Sequence, residues 1–577
     1  MKASLLYFLA LPAFAIADTL KQRQSDWTVG QTVQTDSGPV SGHAALNASQ
    51  VSEYLGIPFA VPPVGDLRFA APQKYSGNST VNGTSFGFSC PAATIASGVS
   101  TANLASANIT ASGLIVLEAL AQFGDKFSED CLTLNVWTKP QTGDARKAVL
   151  LWIYGGGFTT GNSDNPAYNG QFIADQEDVI VVSINYRLNI FGFPGSPNAT
   201  NNLGLLDQRL ATEWVRNNIA KFGGDPTRIT LFGQSAGGAS VDYYSYAWTS
   251  DPIVAGFIPE SGTALGLGQR TPEQSAASWY TVSAKLGCGG ASSGGATVLS
   301  CMRTKNYTSI LQALPSGGIT GGTGFGPTID NVVVFSDYLN RSAAGNFIKR
   351  PMLVGNADNE AGLFRAVAAI QGNSSKFSDA YWDSFNLLDF VCPAAARANI
   401  SVANGVPTWR YRWFGEFPNT IITTVPDSGA WHASELPVLF NYSPPSDLGI
   451  PVSTLEEIAI GNYFRGAWAT FAKDPANGLR TYGAGNGTGW PTYVPGGNTL
   501  VRLAYQNLTG PNLAPSQMYD STCNAMFVVP PSTLVNGSTN ATATRTAPAA
   551  TVTKSEGGRE NIGLGLLVLF GVFTIAL

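Results

Sequence analysis

The 577-residue chain carries 33 Lys and Arg against 38 Asp and Glu, a formal charge of −5, and only 12% of it is charged. A mildly acidic chain lacks the basic stripe that a phosphate backbone requires, which excludes nucleic-acid binding, and 44% hydrophobic content excludes disorder. Two histidines, His43 and His432, and no clustered cysteines exclude a zinc site, and no cofactor is expected.

Residues 1–17, MKASLLYFLALPAFAIA, combine one early Lys, an apolar run and an Ala15-x-Ala17 ending. This is a secretory signal peptide with cleavage after Ala17; a membrane span would need about 20 apolar residues. The texture is uniform from about residue 27 to 527, so 18–530 is read as one globular body. Six cysteines in an exported chain imply three disulfides, although they permit 15 pairings. Fourteen N-x-[ST] sites fit a glycosylated surface: Asn47, Asn78, Asn82, Asn108, Asn198, Asn306, Asn340, Asn373, Asn399, Asn441, Asn486, Asn507, Asn536 and Asn540.

Along the body, His43 lies in SGPVSGHAAL, an early strand or turn pattern. VLLWI (149–153) and VIVVSI (179–184) are continuous apolar runs, as in strands buried on both faces of a parallel sheet. The first opens into Gly155-Gly156-Gly157-Phe158, where backbone N–H groups can approach a substrate carbonyl closely because no Cβ intervenes. A phosphate cradle would need a Lys-Ser/Thr pair that does not follow. GLLDQRLATEWVRNNIAKF (204–222) spaces Leu206, Leu210, Trp214, Val215 and Ile219 as an amphipathic helix, ended by Gly223-Gly224-Asp225-Pro226. ITLFG (229–233) resumes as a strand, and strand–helix–strand at these lengths makes the fold class α/β.

That strand runs into Gly233-Gln234-Ser235-Ala236-Gly237, with a helical ASVDYYSYAW after it. G-x-S-x-G between strand and helix is a nucleophile elbow, which lifts a serine above the sheet edge and adds the Ala236 N–H to the oxyanion donors. Serine needs a base, and among the two histidines only His432, in GAWHASELPVLF, follows it in the order Ser, acid, His. PMLVGNADNEAGLF (351–364) reads as a strand and polar turn that offers Asp358 or Glu360 as the acid, and position does not choose between them.

Past the body, residues 531–561 read as a Thr/Ala/Ser-rich stalk, and 562–577, IGLGLLVLFGVFTIAL, as an uncharged tail. Small residues, a polar spacer and a terminal apolar run make the signal for glycosylphosphatidylinositol attachment, hence membrane association at the cell surface or wall.

EDCLTLNVW (129–137), WIYGGGF (152–158), the 204–226 segment and GQSAGG (233–238) resemble the type-B carboxylesterase/lipase family, which includes fungal lipases and cholinesterases. The resemblance implies an α/β-hydrolase fold with a large, mostly parallel central sheet flanked by helices, acting on ester substrates. It implies Ser235 as nucleophile, Glu360 as acid, His432 as base, and Gly156, Gly157 and Ala236 as the oxyanion hole. It also implies disulfides Cys90–Cys131, Cys288–Cys301 and Cys392–Cys523, and a role for Ser261 beside the triad. Two departures stand out: Gln234 replaces the family's usual Glu, and the Cys90–Cys131 loop has no Trp, which disfavours choline esters. LIVLEALAQF (114–123) in that loop admits two readings, a flap over the acyl pocket, as in the family's fungal lipases, or a fixed part of the core. The rival to an esterase is an inactive surface adhesion protein on this fold, whose mark is loss of the Ser or His; both are present.

Overall fold

The apolar runs become inner strands of a ten-stranded sheet in the computed structural model, which describes residues 27–523 apart from 93–103, 105, 141–145, 316–323, 445 and 484–488. The expected leader, stalk and tail, and the sites at Asn486, Asn536 and Asn540, lie outside the described residues. In chain order the strands are β1 (His43–Ala44), β2 (Ser52–Pro58), β3 (Thr133–Thr138), β4 (Lys147–Ile153), β5 (Ile180–Ile184), β6 (Gly224–Gln234), β7 (Gly256–Glu260), β8 (Met352–Ala357), β9 (Thr408–Trp413) and β10 (Leu500–Leu503). Across the sheet the order is β10-β9-β8-β7-β6-β4-β5-β3-β2-β1. The seven strands from β10 to β5 run parallel, while β3, β2 and β1 pair antiparallel at the far edge. Every residue of β3, β4 and β5 is buried. Strands β4 and β5 belong to the parallel part, whose two faces are covered by helices, and β3 lies inside the antiparallel edge formed by β2 and β1. The expected mostly parallel sheet is therefore what forms.

Five helices bear on the site: α1 (Ala111–Leu120), α2 (Leu203–Asn218), α3 (Ala236–Ala247), α4 (Ala361–Ile370) and α5 (Leu455–Lys473). The amphipathic 204–222 segment is α2 with a tight final turn at Ile219–Phe222, closed by Gly223 at φ 85°. Strand β6 is longer than the expected 229–233. Past Gly223 the chain pairs at once, Gly224 with Lys147, and a register shift before Ile229–Val149 accommodates Pro226. Helix α1 takes in most of the apolar 114–123 run but begins and ends three residues earlier. The Thr110 hydroxyl caps it by accepting from Gly113 N–H at 2.9 Å, and Ala121–Gly124 form a turn. His43 pairs with Glu53, its cross-strand neighbour, at 3.0 Å and stands in β1, as its pattern suggested.

The three disulfides are the pairs that the resemblance implied: Cys90–Cys131, Cys288–Cys301 and Cys392–Cys523. Cys288–Cys301 closes a 13-residue separation beside a small satellite core of Trp279, Val282, Val298 and Met302. Replacing both cysteines by serine is expected to cost about 3 kcal/mol, the chain entropy of a loop of that size. Urea unfolding of the double variant checks this, and an unchanged midpoint would mean that the satellite core alone sets the stability of these helices. Among the eleven described N-x-[ST] asparagines none is buried; Asn373 and Asn441 are half-buried and the others exposed. Among the described residues no helix is long and apolar enough to cross a membrane.

Candidate active site

Ser235 stands between β6 and α3 at φ 59°, ψ −123°, a conformation a non-glycine residue adopts only when its surroundings force it. Its N–H donates to Glu260 O at 2.8 Å, which pins the turn to β7. Neighbouring glycines make the turn possible: a Cβ on Gly233 would lie 2.6 Å from Ile153 O, and one on Gly155 would lie 2.8 Å from Ser235 Cβ. The Gly155–Phe158 loop therefore packs directly against the serine.

Gly156 and Gly157 adopt φ 104° and 61°, and among the described residues their N–H groups meet no acceptor. Ala236 opens α3, where the first N–H groups have no intrahelical partner. The three proposed oxyanion donors thus flank the elbow with their hydrogens uncommitted, and the α3 dipole adds partial positive charge at Ser235.

The two candidate acids part company in space. Glu360, fully buried past the end of β8, accepts from Ala357 N–H at 2.7 Å through Oε1 and meets His432 Nδ1 at 2.5 Å through Oε2. Asp358 instead accepts from Arg412 Nε at 2.7 Å and is 36% exposed. The loops are joined as well, since Asn359 bridges to Trp431 and its side-chain amide donates to Ser428 O at 2.9 Å. His432 is 4% exposed, with its ring against Phe364 (5.1 Å) and Phe390 (4.7 Å). With Nδ1 donating to Glu360, Nε2 is left as the acceptor, and among the described residues it has no partner. Ser235, Glu360 and His432 thus follow the carboxyl ends of β6, β8 and β9, on one edge of the parallel sheet.

A cluster of buried carboxyls surrounds this edge, and nothing in the sequence patterns singled it out. Glu435, three residues past His432 in the turn before the Leu436–Leu439 helix, is 1% exposed with both oxygens unpartnered among the described residues. Burial, then the charges of Glu260 and Glu360, raises its carboxyl well above the usual range. Glu260 is fully buried and accepts from Trp468 Nε1 at 2.8 Å, and burial pushes its carboxyl up to about 8. Gln234 is the cross-strand neighbour of Glu260. The neutral amide beside Ser235 avoids a fourth acid in a cluster that already holds Glu260, Glu360 and Glu435. Ser261, next to Glu260, sits at φ 48°, 1% exposed, with its N–H on Gly355 O and its hydroxyl unpartnered among the described residues.

The fold agrees with the comparisons. A model of the carboxylesterase family matches residues 29–387, which include Ser235 and Glu360. A chlorogenic acid esterase of Aspergillus niger is 36% identical over 493 residues, covering 82% of this chain and 90% of that protein. Secreted lipase 5 of Gibberella zeae is 32% identical over 547 residues, covering 87% and 95%. A cholinesterase of Mus musculus is 36% identical over 347 residues, covering 58% and 55%.

Proposed function

This chain belongs to the carboxylesterase family and is a carboxylic ester hydrolase, and we propose that it works through an acyl-enzyme on Ser235. His432 takes the serine proton through Nε2, Glu360 holds the imidazole in the required tautomer, and the N–H groups of Gly156, Gly157 and Ala236 receive the developing oxyanion. Water, activated by the same imidazole, then releases the acid. The observation that carries this reading is the buried contact of His432 Nδ1 with Glu360, which leaves Nε2 free on the sheet edge where Ser235 is held at φ 59°. Each oxyanion donor contributes about 10²–10³ in rate.

Esters of aromatic as well as aliphatic acids suit the site, because aromatic rings pack around His432 and a relative at 36% identity is named a chlorogenic acid esterase. The leader pattern and the similarity to a secreted lipase support an extracellular enzyme, and the tail pattern supports a glycosylphosphatidylinositol anchor. A fluorophosphonate is expected to add once per chain, on the peptide that carries Ser235, and to abolish ester hydrolysis. An adduct on another serine, or full activity in the labelled protein, would overturn the assignment. Loss of the surface-bound enzyme into the medium after treatment with a phosphatidylinositol-specific phospholipase checks the anchor; retention at the surface would remove it.

A further inference from the structure

We propose that Gln122 is a positioning residue for the oxyanion loop, and that α1 with its closing turn is a fixed brace across the catalytic face rather than a flap. The proposal rests on the reading of Gly156 and Gly157 as oxyanion donors and extends it to what holds them.

Gln122 follows α1 at φ 52°, 5% exposed. Its Oε1 accepts from Thr160 Oγ1 at 2.6 Å and from Gly161 N–H at 3.0 Å, and its Nε2 donates to Asp125 Oδ2 at 2.8 Å. The Gly161 N–H can only donate, so the orientation of the amide is fixed. Asp125 also accepts from Asn162 Nδ2 at 2.5 Å, and Asn162 donates to Ser89 Oγ at 3.1 Å. Residues 160–162 are thereby held by one turn of the Cys90–Cys131 loop.

Their hold passes to the glycines through one peptide plane. Thr159 N–H and Thr160 N–H both donate to Gly156 O, at 3.0 and 3.1 Å. That carbonyl shares its trans peptide with the Gly157 N–H, so fixing the oxygen on one side aims the hydrogen the opposite way. Gln122 fixes Thr160, Thr160 fixes the Gly156 carbonyl, and the plane then presents the Gly157 N–H.

The other end of α1 is tied to the histidine segment. Thr110 Oγ1 donates to Ile421 O at 2.5 Å, Thr110 N–H donates to Ile422 O at 3.1 Å, and Ile109 bridges to Thr423. Val116, Leu117 and Leu120 pack on Leu363 and Val367 of α4, which follows Glu360, and on Trp431, which precedes His432. One short helix therefore touches the supports of the acid, the base and the oxyanion loop together. Swinging it away would release all three.

The test uses the full-length enzyme, Gln122→Met, which keeps the shape and removes both polar atoms, and Thr160→Val, which removes the hydroxyl from the other side. On a short soluble ester, kcat/KM is expected to fall about 10–100-fold in Gln122→Met, less than the roughly 10²–10³ of losing an oxyanion donor outright, with KM little changed. Affinity for a boronate that places an oxygen in the oxyanion hole should fall by the same factor. The effects of the two substitutions should be non-additive, because both remove the Thr160–Gln122 hydrogen bond. Thr160→Val keeps the proposal testable if Gln122→Met fails to fold. Unchanged kcat/KM, or a drop with boronate affinity intact, would overturn the positioning role. Activity on tributyrin should rise smoothly through its solubility limit, and a jump there would overturn the fixed brace. Stoichiometric fluorophosphonate labelling of Ser235 in every variant keeps the reading of the nucleophile separate from that of Gln122.

Discussion

Replacing Ser235 by alanine is expected to lower kcat by about 10⁶, and Glu360→Gln alone by about 10⁴. The second figure follows from the hydrogen-bond pattern. Glu360 Oε1 is committed to Ala357 N–H, so an amide at this position turns its NH₂ group toward His432 Nδ1. The imidazole must then accept there and carry its proton on Nε2, the nitrogen that has to take the serine proton. Asp358→Asn is expected to leave kcat unchanged, since it loses only a half-exposed pair with Arg412. The double variant Ser235→Ala with Glu360→Gln should be no slower than Ser235→Ala alone, because groups that act as a unit are not additive. Steady-state rates on a soluble ester decide the matter. Equal losses in the Asp358 and Glu360 variants would remove Glu360 from the acid role.

A second large effect should appear in stability rather than rate. Burial lifts the Glu260 carboxyl from 4.5 to about 8, so between those values the folded chain holds a proton that the unfolded chain has released. Stability is then fully present below about pH 4.5 and is lost as the pH rises toward 8, by about 5 kcal/mol in total. Glu435, raised by the same burial and by its acidic neighbours, adds to the slope with the same sign. Glu260→Gln keeps an oxygen for the Trp468 indole and cannot ionise, so its unfolding free energy should be markedly flatter between pH 5 and 8. Urea midpoints at three pH values across that interval compare the two proteins, and coincident profiles would refute the claim.

These two effects mark the boundary of what sequence alone makes legible here. Strands β4 and β5, helix α2 and the elbow are contiguous signals, readable because burial on both faces leaves an unbroken apolar run and because G-x-S-x-G constrains one turn. Proposing Glu360 rather than Asp358 as the acid rests on the family resemblance and on the buried contact with His432, since the two acids lie two residues apart in one polar turn. Glu260, Glu435 and Gln122 left no pattern at all. Glu260 resembles the end of any buried strand, and its environment is made by Gln234 across the sheet and Trp468 on α5, 208 residues away. Gln122 meets Thr160 and Gly161 across 38 and 39 residues. The start of α1 is marked in the sequence only by Thr110, a good cap shortly before the apolar run begins.

The last disulfide also decides how the molecule carries mechanical load. Strand β10 is the sheet edge nearest the end of the chain, and an edge strand pulled from one end peels open one hydrogen bond after another. Cys523, however, is covalently bound to Cys392, at the start of the helix Cys392–Ala403 that packs beneath β8 and β9. Tension applied through the chain beyond residue 523 therefore bypasses β10 and enters at Cys392, which is fully buried. The pull is spread over that helix and the two interior strands it packs against, so an enzyme tethered by this end would keep β10 paired under drag that would unzip the same sheet without the bridge.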